Sequence, residues 1–394
     1  MPILPLALGL LVSWFAALLL VPAVRQLSIR RGWVDKPDGG RTLHATLTPN
    51  VGGLAIVGAA FIGVGVMTIA KVALSEEAAV ALTLPSPLVL IGALVIAAVG
   101  FLDDLREMSH RAKFGAQLAV TALAIAGGAR VQVFDAMLGD GALALGVSIV
   151  LTVVWMVGVM NAVNLIDGMD GAAAGIVAIA FGGLAIAHGI GGDFGALVLV
   201  AAIGGALLGF LRYNFAPASI FMGDSGSLFL GYTLAAYALR GTSHANPVLA
   251  LVIPAVIMGI PVLDTVVSIL RRKMTGKHLF YPDRDHIHHR LQAQMPTHRA
   301  ALVLYACGVF LTGGALTMAA VATGTAAIVF AAGSVVVYGF LCYVRYLPTP
   351  LQATRFIERR RRIRDLMADR VRTMPPKAGR ISDDRFQPAA APER

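Results

Sequence analysis

The chain has 394 residues, of which 57% are hydrophobic and only 14% charged, and its mean hydropathy is +0.76. A soluble domain carries roughly 25% charged residues, so composition argues against a soluble globular protein and for a polytopic membrane protein. The net charge of +10 does not point to nucleic acid, because the basic residues cluster in short loops and near the C-terminus, as on a cytoplasmic membrane face. Cys307 and Cys342 lie in apolar runs, so no disulfide framework is indicated.

An apolar run of about 20 residues crosses a bilayer as a helix. Eleven such runs are expected in an all-α chain, at 3–24, 51–70, 86–102, 114–130, 143–161, 172–190, 195–211, 226–240, 247–268, 300–319 and 323–344. The first has no basic residue before it and Arg25, Arg30 and Arg31 after it. That is opposite to a cleaved signal peptide and expects the N-terminus outside. Counting onward, the inside loops hold Arg106, Arg111, Lys113, Arg212 and the basic stretch from Arg271 to Arg299. The outside loops hold few basic residues, among them Arg130 and Arg240, in company with Glu76, Glu77, Asp135, Asp140 and Asp193. Residues 1–346 are then the membrane-embedded domain and 347–394 a cytoplasmic tail, whose Arg359–Arg362 run suits anionic lipid. From about Met374 the tail is rich in Pro, Ala and charge, a composition that favours disorder.

Five polar islands interrupt this pattern, and the topology puts all of them on the cytoplasmic side. The densest is Asn161–Gly171, Asn-Ala-Val-Asn-Leu-Ile-Asp-Gly-Met-Asp-Gly. Two amides and two acids at the edge of an apolar run are costly unless they bind something. In a continuing helix, Asn161, Asn164 and Asp167 share one face.

Asp103 and Asp104 are adjacent acids at a helix end, which calls for a cation, either a metal or a lysine such as Lys113. The plain alternative is an acidic end to a span. Phe221-Met-Gly-Asp-Ser-Gly-Ser227 flanks Asp224 with glycines that admit a ligand to the backbone. It lacks the lysine and spacing of a P-loop, so Asp224 is read as an oxygen ligand to Mg²⁺ or, more simply, as a helix cap. Asp264 closes the ninth run, and His286-Ile-His-His289-Arg290 follows in a basic loop. No Cys partner or His-x3-His pair supports zinc, so contact with a diphosphate is expected. The first island, Asp35 to Gly53, offers Arg41 and His44 to a lipid phosphate.

In this order, Asp103-Asp104, Asn161–Gly171, Phe221–Gly226, Pro261-Val-Leu-Asp264 and His286–His289 resemble the polyprenyl-phosphate N-acetylhexosamine-1-phosphate transferase family. The resemblance spans about residues 30 to 295. Within it, His-x-His-His followed by Arg290-Leu291 is similar to the UDP-GlcNAc branch (WecA-like and teichoic-acid-initiating enzymes). The branch that makes lipid-linked MurNAc-pentapeptide has consecutive histidines instead. The first loop departs from the family's Arg-Lys-x-His, reading Arg41-Thr-Leu-His44.

The resemblance implies a bacterial plasma-membrane enzyme, its active site facing the cytoplasm, that moves GlcNAc-1-phosphate from UDP-GlcNAc to undecaprenyl or decaprenyl phosphate. It implies Mg²⁺, with Mn²⁺ as a substitute, held by Asp224 with Asp167. Asp103 is the expected base; Asp104 or Asp167 would be the nucleophile of a covalent route. Lys113, Asn161, Asn164, Asp170, Asn214, Asp264, His286, His288, His289 and Arg290 are expected to contact substrate. Membrane lipids are further partners, and a homodimer is allowed. A transporter would need polar groups through the membrane depth, and a scaffold leaves the islands without purpose.

Overall fold

The computed structural model describes residues 3–35, 48–72, 86–132, 139, 141–240, 247–275, 286–321 and 323–343. Arg41, His44 and the tail expected at 347–394 lie outside the described residues.

The described residues form thirteen helices and one small ribbon. They run α1 Ile3–Arg31, β1 Val34–Asp35, β2 Thr48–Pro49, α2 Gly53–Val72, α3 Pro87–Leu105, α4 His110–Ala126 and α5 Ala142–Ile166. There follow α6 Ala172–Gly191, α7 Phe194–Asn214, α8 Gly223–Ala238, α9 Pro247–Ile257, α10 Gly259–Thr275, α11 Ile287–Gln292, α12 Thr297–Ala320 and α13 Thr323–Tyr343. Seven of them (α1, α2, α3, α5, α6, α7 and α12) are long and apolar enough to cross a membrane. Their outward faces carry exposed Leu4, Phe15, Ile91, Val150, Ile190 and Val309, which suits lipid as the surrounding solvent.

The remaining expected runs are helical too, but differ in detail. Those at 114–130 and 226–240 are α4 and α8, of 17 and 16 residues. The run at 247–268 is two helices, broken at Met258. Pro261 has no N–H for the carbonyl four residues back, at Ile257, and its ring crowds that position, so one helix ends there and another begins. The ribbon is a second difference. Val34 pairs with Pro49 and Asp35 with Thr48, two residues per strand being too short to show in hydrophobic periodicity.

The core is organised around α8, whose residues Ser225 to Ala238 are all buried. It packs between α3 and α5, with α2 beside it. A second group joins α1, α2 and α7, and α6 links α7 to α12. The order matters for chemistry: the C-terminal ends of α3 and α5 meet the N-terminal ends of α4 and α8. Polar residues far apart in sequence therefore gather at one end of an apolar bundle.

Candidate active site

Lys113 is the centre of that gathering. Its Nζ lies 2.5 Å from Asp103 Oδ2 and 2.7 Å from Asp224 Oδ2, joining the start of α4 to the end of α3 and the start of α8. Burial alone would lower the lysine's pKa, but its hydrogen bonds to Asp103 and Asp224 outweigh that and hold it above the ordinary value. Asp224 Oδ1 accepts a 2.9 Å bond from Asn164 Nδ2, which also donates to Ser227 Oγ. Asp103 Oδ1 is taken by the Met108 N–H at 2.7 Å.

Asp104, the other half of the acidic pair, is used differently. The first N–H groups of a helix have no partner within it, and Met222 at the N-cap of α8 supplies no side-chain bond. Asp104 reaches across from α3 and accepts both the Asp224 N–H (2.7 Å) and the Ser225 N–H (3.0 Å). It is a cap in trans, and it sets where Asp224 stands. Gly223 makes the approach feasible, with φ +71°; a Cβ there would fall 1.8 Å from the Asn50 carbonyl and 2.7 Å from Asp104 Oδ2. The first island braces the same turn through Gly52 N–H to Phe221 O, Gly53 N–H to Met222 O and Phe221 N–H to Pro49 O.

Asp167 closes α5 as its C-cap. Its pKa is raised well above the usual carboxylate range, first by burial and then by the charges of Asp224 and Asp104, against a hydrogen bond from the Gly223 backbone. A carboxylate in that position is short of positive charge. The donor set around it, carboxylate oxygens of Asp167 and Asp224 on adjoining helix ends, has the hardness that Mg²⁺ requires. Among the described residues no three His, Cys, Asp or Glu form a closed metal cage.

The histidine turn reaches the same place from the other side. A Cβ on Gly168 would lie 2.6 Å from His288 Nε2, so this ring covers the glycine next to Asp167. His288 is 2% exposed, and its pKa is lowered to about 3 by burial and then by His289. The rings of His286 and His288 stack at 5.7 Å and 7°, and His289 follows at 4.1 Å from His288. Asp264 meets His286 Nδ1 at 3.0 Å. Arg290 occupies the last turn of α11.

Three of the expected substrate contacts also hydrogen-bond to protein groups. Asn161 donates to Gln117 Oε1 at 3.0 Å and to Val157 O at 2.8 Å. Asp170 Oδ2 accepts the Ala218 N–H at 2.9 Å, and Asn214 bridges the Gly171 N–H to the Ile220 carbonyl. These residues shape the loops around Asp224. Sequence reasoning missed Gln117, Ser227 and Tyr305, whose Oη donates to the Gly171 carbonyl at 2.7 Å. A lone Gln inside the run at 114–130 was the available signal for the first.

The sequence profile described as glycosyl transferase family 4 matches residues 86–242, the segment holding Asp103, Lys113, Asn164 and Asp224. The chain is 37% identical over 315 residues to a probable undecaprenyl-phosphate N-acetylglucosaminyl 1-phosphate transferase of Bacillus subtilis, covering 79% of this chain and 85% of that one. It is 34% identical over 344 residues to a decaprenyl-phosphate N-acetylglucosaminephosphotransferase of Mycobacterium tuberculosis, covering 80% and 83%. It is also 31% identical over 300 residues to a phospho-N-acetylmuramoyl-pentapeptide-transferase of Shouchella clausii, covering 72% and 88%. With such relatives aligned over most of both chains, and the ordered motifs meeting at one end of the bundle, the chain belongs to the polyprenyl-phosphate N-acetylhexosamine-1-phosphate transferases of glycosyl transferase family 4.

Proposed function

We propose that this protein transfers GlcNAc-1-phosphate from UDP-GlcNAc to undecaprenyl or decaprenyl phosphate, giving GlcNAc-diphospho-polyprenol and UMP. The observation that carries the reading is Lys113 bridging Asp103 and Asp224, with Asn164 on the far oxygen of Asp224. A cation held between carboxylates at the edge of an apolar bundle suits two anionic substrates, one from water and one from the membrane.

An oxygen of the lipid phosphate bonds to the β-phosphorus of UDP-GlcNAc. The bond from that phosphorus to the oxygen bridging the two phosphates breaks, and UMP leaves. Because both reactants are anionic, the protein's work is positioning and charge neutralisation. The lipid phosphate is largely ionised at neutral pH, its second pKa being about 6, so little base catalysis is needed. Asp103 anchors Lys113 through Oδ2, and Lys113 offers its charge to the reacting phosphates. Asp104, capped onto two backbone N–H groups, positions Asp224 and is a poor nucleophile, which favours direct over covalent transfer. Asp224 and Asp167 would hold Mg²⁺, and the ion would neutralise diphosphate charge. The histidine turn faces the sugar-diphosphate.

The charge distribution of the loops supports a bacterial plasma-membrane enzyme with eleven spans, an outside N-terminus and a cytoplasmic active site. The interrupted histidine motif supports UDP-GlcNAc over UDP-MurNAc-pentapeptide. A donor panel tests this: membranes supplied with polyprenyl phosphate should form lipid-extractable label from UDP-GlcNAc, and not from UDP-GalNAc or UDP-MurNAc-pentapeptide. Label from the pentapeptide donor alone would move the protein to the other branch.

A further inference from the structure

Asp264 is 2% exposed and His286 4%. Asp264 sits in the second turn of α10, and both its oxygens meet the histidine turn: Oδ2 lies 3.0 Å from His286 Nδ1, and Oδ1 accepts the Ile287 N–H at 2.9 Å. On its other side is a cavity of about 340 Å³ that Asp264 shares with Ile260, Leu263, Leu304, Cys307 and Phe310. With hydrocarbon there in place of water, a carboxylate must draw its compensation from hydrogen bonds.

We propose that Asp264 is a positioning residue for His286 rather than a ligand of the substrate. A carboxylate at Nδ1 selects the form of the ring that carries a proton there, so Nε2 becomes the working nitrogen. Nε2 has no partner among the described residues. When the ring is doubly protonated, Asp264 balances its charge and Nε2–H can donate to a phosphate oxygen. The stacked His288 ring and the Ile287 bond limit rotation of the turn. This inference rests on the transferase reading above.

A kinetic double-mutant cycle on the full-length protein tests it, using UDP-GlcNAc and polyprenyl phosphate. Asp264→Asn should lower kcat about 10- to 100-fold with KM for each substrate within about threefold. The double variant Asp264→Asn/His286→Asn should be no slower than His286→Asn alone, because Asp264 acts through that ring. Asp264→Glu, which keeps a carboxylate, should restore part of the rate. Should Asp264→Asn not fold, Asp264→Glu takes its place in the cycle, and the same non-multiplicative outcome is required. Rate losses that multiply in the double variant, or a raised KM for UDP-GlcNAc at unchanged kcat, would overturn the assignment. Wild-type protein that makes no GlcNAc-lipid defeats the functional reading itself; active wild type with multiplicative variants defeats only the role of Asp264.

Discussion

Lys113 and Asp224 are 111 residues apart, yet Nζ and Oδ2 are 2.7 Å from each other. The same ammonium holds Asp103, so one side chain fixes three helix ends. Lys113→Met keeps the length and removes the charge, leaving Asp103 and Asp224 without the cation they share. It is expected to lower kcat by about 100-fold or more, read as UMP release at saturating substrates. A rate within a few-fold of wild type would remove Lys113 from the mechanism.

Asp104 gives a prediction of a different kind. Its two oxygens accept the N–H groups of Asp224 and Ser225, and an amide in its place turns a donor toward one of them. Asp104→Asn should destabilise the protein by about 1–3 kcal/mol, seen as a lower thermal midpoint in detergent. Wild-type protein incubated with sugar-labelled UDP-GlcNAc without lipid acceptor should retain no covalent label. Label trapped on Asp104 would establish the covalent route.

Gly223 is held at φ +71° between Asn50 and Asp104. Gly223→Ala adds backbone strain of about 1–3 kcal/mol and a collision at 1.8 Å with the Asn50 carbonyl. The expected variant has a lower thermal midpoint and a displaced Asp224, so its turnover falls further than its folded fraction. Equal losses of the two would mean that Gly223 serves folding only.

His288 predicts how stability depends on acid. Folding lowers its pKa to about 3, against about 6.5 when unfolded. Below pH 6.5 the unfolded chain takes up a proton that the folded ring refuses, so this contribution is full above 6.5 and is lost as pH falls toward 3. The facing charges come from His286 and His289 on its own turn and Asp264 on α10. The loss approaches about 1.4 kcal/mol per pH unit for one proton. His288→Asn should therefore flatten the decline in thermal midpoint between pH 7 and pH 5. An unchanged slope would show that His288 titrates normally.

Much of the site could be read before any coordinates, because a carboxylate or amide beside an apolar run has little reason to be there unless it is used. Asp103, Asn164 and Asp224 stood out on that ground, and Lys113 as a cation the acid pair could call for; the fold brings the four together. For others the same rule does not tell a ligand from a brace. Asn161, Asp170 and Asn214 look like ligands in sequence, but a side chain that ties a loop through a backbone N–H leaves the same trace. Asn161 also needed its partner Gln117, which no spacing connects to it across 44 residues. The break at Met258 escaped notice because Pro254 and Pro261 sit in an unbroken apolar run, and hydropathy is blind to a missing N–H. Asp103 and Asp104 were legible as a pair, but their division of labour was not, since it depends on which backbone groups each one meets.

The central claim is that the acid cluster around Asp224 carries out a metal-assisted transfer of sugar phosphate onto lipid. The direct measurement follows UMP and lipid-extractable label together, from doubly labelled UDP-GlcNAc and polyprenyl phosphate, across a Mg²⁺ titration of wild type and Asp224→Ala. Equal amounts of UMP and GlcNAc-lipid in the wild type, abolished by chelator, with no activity in Asp224→Ala at any Mg²⁺ concentration, is the predicted result. Wild-type turnover in Asp224→Ala, or labelled sugar crossing the membrane without UMP release, would contradict it.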